Sequence, residues 1–251
     1  MKNKPLLWQR AAAVAFWLVL WQCASMLLAQ PLLLVSPLSV LRRLAVIWLE
    51  AGFWQTLAFS FFRIVAGFLL AFVLGVLLAV LAGRLRAAEV LLRPLMATVK
   101  SVPVASFIII SLIWLTAARL SIFISFLMVL PIIYSNVLQG IKSTDARMLE
   151  MAQLYKVPWR RRLLYIYMPQ VRPFLLSACS VALGISWKSG IAAEVIGIPN
   201  GSIGEMLYES KVYFKTADLF AWTVVIILAS LLFEKLFLRL LRAVFARLEK
   251  I

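Results

Sequence analysis

Histidine is absent from this sequence, cysteine occurs twice, and ten acidic residues face 26 lysines and arginines. Each shortage closes off a chemistry. Without histidine there is no Ser/His or Cys/His nucleophilic pair and no His-based metal site. Cys23 and Cys179 stand alone in apolar surroundings, so no disulfide framework or CxxC site exists, and both are read as packing residues. No glycine is followed by lysine, which removes the phosphate-cradling P-loop. If the protein uses ATP, a partner must bind it. No catalytic residue, metal set or cofactor is therefore expected on the chain itself.

What is abundant is apolar surface. Hydrophobic residues make up 64% and charged residues 14%, with a mean hydropathy of +0.99, where soluble domains carry about 25% charge. This composition identifies an all-α, polytopic membrane protein, because long continuous runs suit helices of about 20 residues and not the alternating segments of a barrel. About six spans fit, at 11–29, 57–82, 95–118, 120–139, 171–196 and 216–238, in a single domain over 1–251. The first run is longer than a secretory core of about 7–15 residues, so it is read as a retained helix. Residues 31–55, with Arg42, Arg43 and Glu50, form an amphipathic surface stretch. Gly67, Ala71, Gly75, Ala79 and Gly83 recur every four residues, a ridge for tight packing or for a moving helix interface. Pro94 and Pro103 predict a kinked or broken third helix.

Orientation follows from the cations. With the amino terminus in the cytoplasm, the inner segments hold nineteen of the 26 Lys and Arg, among them Lys2, Lys4, Arg10 and Lys250, while six fall outside. Both termini are thus expected in the cytoplasm. The net charge of +16 then reads as a topology signal and a match to anionic lipid, not to nucleic acid.

The polar interval 141–169 interrupts this apolar chain. Thr144 can cap a helix whose first turn carries Asp145, with Met148, Met151 and Tyr155 at helical spacing and Arg147 and Glu150 on other faces. Val157-Pro158 stops it, and Trp159 with Arg160, Arg161 and Arg162 follows. By periodicity alone this is an interfacial helix with a basic edge. Elsewhere, Lys188 and Glu194 near the outer end of the fifth span, and Arg63 in the second, are ionisable groups at membrane depth. They fit structural pairing, snorkelling or a translocation pathway.

The spacing of the interval resembles the Glu-Ala-Ala loop of ABC importer permeases. Glu150, Ala152, Ile166 and Pro169 fall in register with that loop, while Met151, Lys156 and Met168 replace its alanine, glycine and leucine. Ser60, Arg63 and Gly67, Val102-Pro103, Trp187, Ala192-Ala193-Glu194, Gly197 and the run Gly201-Ser202-Ile203-Gly204 look like the nitrate, sulfonate and taurine branch. The resemblance implies a type I ABC importer permease fold in a bacterial inner membrane. Two permease copies, with a homodimer favoured over a heterodimer, would form the pathway. A cytoplasmic ATPase dimer carrying ATP and magnesium would drive it, and an extracytoplasmic binding protein would deliver the solute. Glu150 and Ala152 are assigned to the ATPase contact, with Met148, Met151 and Tyr155 as apolar docking residues, Lys156 at the turn and Pro169 at the join to the fifth span. The solute expected is a sulfonate-, taurine- or nitrate-like anion; a pyrimidine precursor of thiamine is the alternative. A channel or secondary transporter working without ATP is the rival of another class, whereas an intramembrane enzyme would need the histidine, acid pair or activated nucleophile that is missing.

Overall fold

Apolar residues surround the first helix on every side, and most of its side chains point outward, the pattern of a segment solvated by lipid. The computed structural model describes residues 7–28, 30 and 32–248. Lys2, Lys4 and Lys250, counted above on the inner side, lie outside these residues, as do Ala29 and Pro31 at the edges of expected segments. Among the described residues the protein is entirely helical, with no strand.

Helix α1 (Leu7–Leu28) touches the rest through Ser25, which donates to the Leu34 carbonyl at 3.0 Å, and through Trp21, whose ring lies 5.6 Å from that of Phe220. Helix α2 (Pro37–Ile47) is the amphipathic surface element, capped by Ser36 with Pro37 in its first turn and burying Val40 and Ile47. Helix α3 (Phe53–Arg84) carries the small-residue ridge, and that ridge packs on α6 (Ala117–Lys142). A Cβ added at Gly75 would lie 3.0 Å from Ile133 Cβ, and one at Gly67 or Gly83 would lie 2.9 Å from Ser125 Cβ or Ile141 Cγ2. These pairs share one offset of 58 residues, so α3 and α6 run parallel in register.

Parallel neighbours need a crossover, which α4 (Arg86–Ser101) and α5 (Val104–Ser111) supply. They meet at 100°. The break falls at Val102, held extended (φ −76°, ψ 132°) because the residue before a proline avoids the helical region. The expected third span is therefore two helices at a sharp angle.

After α6 come α7 (Ala146–Leu154), the short α8 (Trp159–Arg162), a π-helical turn (Leu163–Tyr167) and α9 (Met168–Gly197), the last three forming one helical body. Then α10 (Ile203–Val212) caps one end, and α11 (Thr216–Leu248) returns. Helix α6 is central, burying Ile124, Val129, Ile133 and Val137 between α3 and α9. Four helical segments, Ala11–Leu28, Phe53–Arg84, Ala117–Lys142 and Trp159–Gly197, are long and apolar enough to cross a membrane, or five spans if the bent pair counts as one. The sixth expected segment, 216–238, falls in α11, whose uncharged stretch between Asp218 and Glu234 is shorter than the about 20 residues a span uses.

Candidate functional site: an exposed helix and a buried polar junction

Helix α7 has a clean start and stop. Its cap is Asp145, whose carboxylate accepts from the Arg147 N–H at 2.9 Å. Thr144, the expected cap, lies one residue too early: α6 closes on Ser143, and the Thr144 hydroxyl is buried without a hydrogen-bond partner. At the other end the Val157 N–H reaches the Ala152 carbonyl at 2.9 Å and the Lys156 N–H reaches Gln153 at 3.1 Å. This paired closure is a Schellman motif, which puts the residue after the cap in the left-handed region. Lys156 has φ +46°. The position where the resembling family has glycine thus keeps glycine's backbone conformation with a lysine side chain.

Removing that strain gives a first expected result. Lys156→Gly should stabilise the turn, since a side chain in this region costs about 1–2 kcal/mol and glycine recovers part of it against its own chain entropy. The melting temperature of detergent-solubilised Lys156→Gly should equal or exceed that of wild type. A lower one would give the lysine side chain a stabilising role of its own.

Between cap and stop, the helix divides sharply. Ala152 is 1% exposed and faces the chain's own interior, so it is not presented for an external contact. Met148, Met151, Leu154 and Tyr155 form an outward apolar stripe, with Leu154 79% and Tyr155 75% exposed. Leu154 joins the stripe although the sequence reading does not include it; it stands three residues after Met151, the helical neighbour position. Glu150 is exposed beside them and forms no hydrogen bond or ion pair within the described residues. Arg162 donates to the Val157 carbonyl at 2.8 Å, and the Arg84 guanidinium lies 4.3 Å over the Trp159 ring, which fixes α8 against the end of α3. Pro169 stands in the first turn of α9, directly after the π-helical turn.

The same end of the bundle gathers the C-terminal ends of α3 and α6 and the start of α9, with Arg84, Arg86, Lys142 and Arg172 among its cations. Lys142 pairs with Glu89 across α6 and α4.

The opposite end holds a buried polar junction. Glu194, 0% exposed on α9, accepts from the Ser60 hydroxyl of α3 at 2.7 Å and from the Gly204 N–H of α10 at 3.3 Å. Ser60 in turn accepts from the Ile203 N–H at 2.9 Å. One carboxylate therefore joins three helices and sits at the amino end of α10, where the helix dipole favours negative charge. Gly204 allows the approach, because any Cβ there would overlap Glu194 itself. The second carboxylate oxygen is unpartnered; the Ser121 hydroxyl faces it without closing a hydrogen bond. Arg63 contributes electrostatic attraction while its guanidinium lies 3.5 Å over the Phe59 ring. Lys188 is on an exposed face of α9, away from Glu194, because six residues along a helix do not share a face. Of the three ionisable residues suggested for a pathway, Arg63 and Glu194 form no ion pair with each other among the described residues, one guanidinium nitrogen of Arg63 being buried without a partner, and Lys188 stands on another face.

Beside this junction a cavity of about 300 Å³ is lined by Arg43, Glu50, Glu209, Lys215 and Asp218. Arg43 bonds both Glu50 and Asp218, tying α2 to α11, so its charge is already taken up.

Residues 71–250 match the family of the binding-protein-dependent transport system inner membrane component. The chain is 25% identical, over 92% of its length and 82% of the relative's, to the putative aliphatic sulfonates transport permease protein of Bacillus subtilis. It is 27% identical, over 86% and 80%, to the taurine transport system permease protein of Escherichia coli. A bicarbonate transport system permease protein of Synechococcus elongatus is 24% identical over 63% of this chain and 57% of its own length. The chain belongs to the binding-protein-dependent transport system inner membrane component family and is an ABC-type permease, a multi-pass membrane protein, as the loop spacing implied.

Proposed function

We propose that this chain is the membrane-spanning subunit of an ATP-driven importer, and that α7 is the element through which a cytoplasmic ATPase moves it. The observation that carries this reading is the outward stripe of Met148, Met151, Leu154 and Tyr155, with an unpaired Glu150 at its edge. Exposed apolar side chains on a short, firmly closed helix suit insertion into a groove of another protein. Helix α8, the π-helical turn and α9 then lead in one body to Glu194 and α10 at the far end. Displacement of α7 would tilt α9 and so reach the opposite mouth.

On this reading the chain crosses the bacterial inner membrane six times with both termini inside, in one permease domain over 1–251; α11 supplies the last span although its uncharged stretch is short, because Glu234 accepts from the Ser180 hydroxyl of α9 at 2.7 Å and so has a partner on a neighbouring helix. It works with a second copy of itself, an ATPase dimer holding ATP and magnesium, and an extracytoplasmic binding protein. The solute is a small sulfonate-, taurine-, nitrate- or bicarbonate-like molecule, a class supported by the relatives' names as sulfonate, taurine and bicarbonate permeases. The polar cavity at the α10 end carries charges of both signs, which agrees with selectivity residing in the binding protein.

Purification in mild detergent with nucleotide is expected to recover a stoichiometric P-loop ATPase, and mass spectrometry of the ligand on the co-purified binding protein should give a molecule of this class. Repeated recovery of the chain without any ATPase, or solute uptake that survives ATPase depletion, would overturn the reading in favour of a secondary transporter.

A further inference from the structure

Where α8 and the π-helical turn lean against α3, the helices leave a cavity of about 190 Å³. Val76, Val80, Leu163, Met168 and Phe245 line it with almost nothing but carbon, and Trp159 and Arg84 stand at its edge. Among the described residues no acidic side chain lines it. Arg84, Arg160 and Arg161 are exposed nearby, and the Arg172 guanidinium lies 5.9 Å from the Phe245 ring centroid. Tyr165 and Trp159 are also exposed at this level, as expected where a membrane meets water.

An apolar slot between membrane helices beneath a cationic, aromatic rim is complementary to one kind of molecule, a phospholipid with an anionic headgroup. We infer that this cavity is a binding site for one acyl chain of an anionic phospholipid, whose phosphate is held by Arg84. Zwitterionic lipid offers the same tail but no net charge for the arginines. Because the walls include Trp159 and Leu163, from the segment that joins α7 to α9, an occupied site braces that joint. The inference rests on the proposed topology only for the leaflet from which the lipid comes. Its test needs no transport, so its failure is distinguishable from failure of the importer reading.

The full chain is reconstituted in bilayers containing brominated phosphatidylglycerol or brominated phosphatidylcholine at equal mole fraction, and tryptophan fluorescence is recorded. The chain has nine tryptophans; the Trp159 component is isolated as the difference from Trp159→Phe. Quenching of that component is expected to be at least about threefold stronger with the anionic lipid, with an attraction that weakens at about 1 M salt, where charges are screened beyond about 3 Å. Arg84→Gln should abolish the preference and Arg84→Lys keep it, while Val80→Phe, which fills the cavity, should reduce quenching by either lipid. Equal quenching by the two lipids overturns the proposal. So does a preference that ignores salt or survives Arg84→Gln, and so does quenching that Val80→Phe leaves undiminished. Displacement of the bromolipid by inorganic phosphate alone would leave the apolar cavity without a role and would also overturn it. The salt series uses the wild-type chain, so a misfolded variant does not remove the test.

Discussion

Met151→Asp combined with Leu154→Asp is expected to bring ATP-coupled uptake to background while leaving the permease folded and inserted. Both side chains are largely exposed, so in the chain alone the aspartates cost little. In a groove of the ATPase each would desolvate a carboxylate with no cation provided for it. Losing anchors of this kind costs about 2–4 kcal/mol, on the order of 30- to 1000-fold in affinity. Co-purification of the ATPase and solute-stimulated ATP hydrolysis should fall together, with monodispersity of the detergent-solubilised chain unchanged. Glu150→Lys, a charge reversal at the edge of the same stripe, should weaken association without touching the chain's own contacts. Normal coupling in the double aspartate variant would remove α7 from the drive mechanism.

The second large effect lies at the other end. Gly204→Val should detach α10 from α9, because the added Cβ overlaps Glu194 and comes 2.6 Å from the Val195 nitrogen, where only backbone could yield. Lifting α10 withdraws the Gly204 N–H from the carboxylate and the Ile203 N–H from Ser60. A buried polar group left without its partners costs about 1–3 kcal/mol, and more if it carries charge. Ser60→Ala, which removes one hydroxyl from the same junction, should cost about 1–3 kcal/mol, and the two changes together should cost less than their sum, since they break one network. Hydrogen exchange gives the local readout: α10 amides should exchange faster in Gly204→Val while those of α6 stay protected. Unchanged protection of α10 would show that the junction does not hold the helix.

Much of α7 was legible because helix signals are local. The apolar spacing at Met148 and Met151 and the stop at Val157-Pro158 both act within four or five residues, and each has its counterpart in the structure, whereas the left-handed backbone at Lys156 is a structural finding that a lysine at that position does not announce. The cap was misplaced by one residue because Thr144 and Asp145 satisfy the same rule, and the choice was made by where α6 ends. The loop pattern alone makes Ala152 a contact residue; its burial depends on what packs behind α7, which periodicity does not report. The third span was foreseen as broken, since proline acts on its immediate neighbour, but the 100° angle depends on the surrounding helices.

By itself, then, the sequence determined the solvent, the helical class and the short amphipathic helix of the polar interval, all of which follow from composition or from spacing within a turn or two. It also carried Ser60, Arg63, Glu194, Ile203 and Gly204 as separate points of resemblance, with no account of why they belong together. Tertiary structure alone decided that. The Ser60–Glu194 bond spans 134 residues and the Ile203–Ser60 bond 143, and such pairs meet only after the glycine ridge of α3 has seated on α6 and α9 has packed against both. No local propensity encodes a contact at that separation; it exists because the apolar faces leave the polar side chains one place in which to find partners.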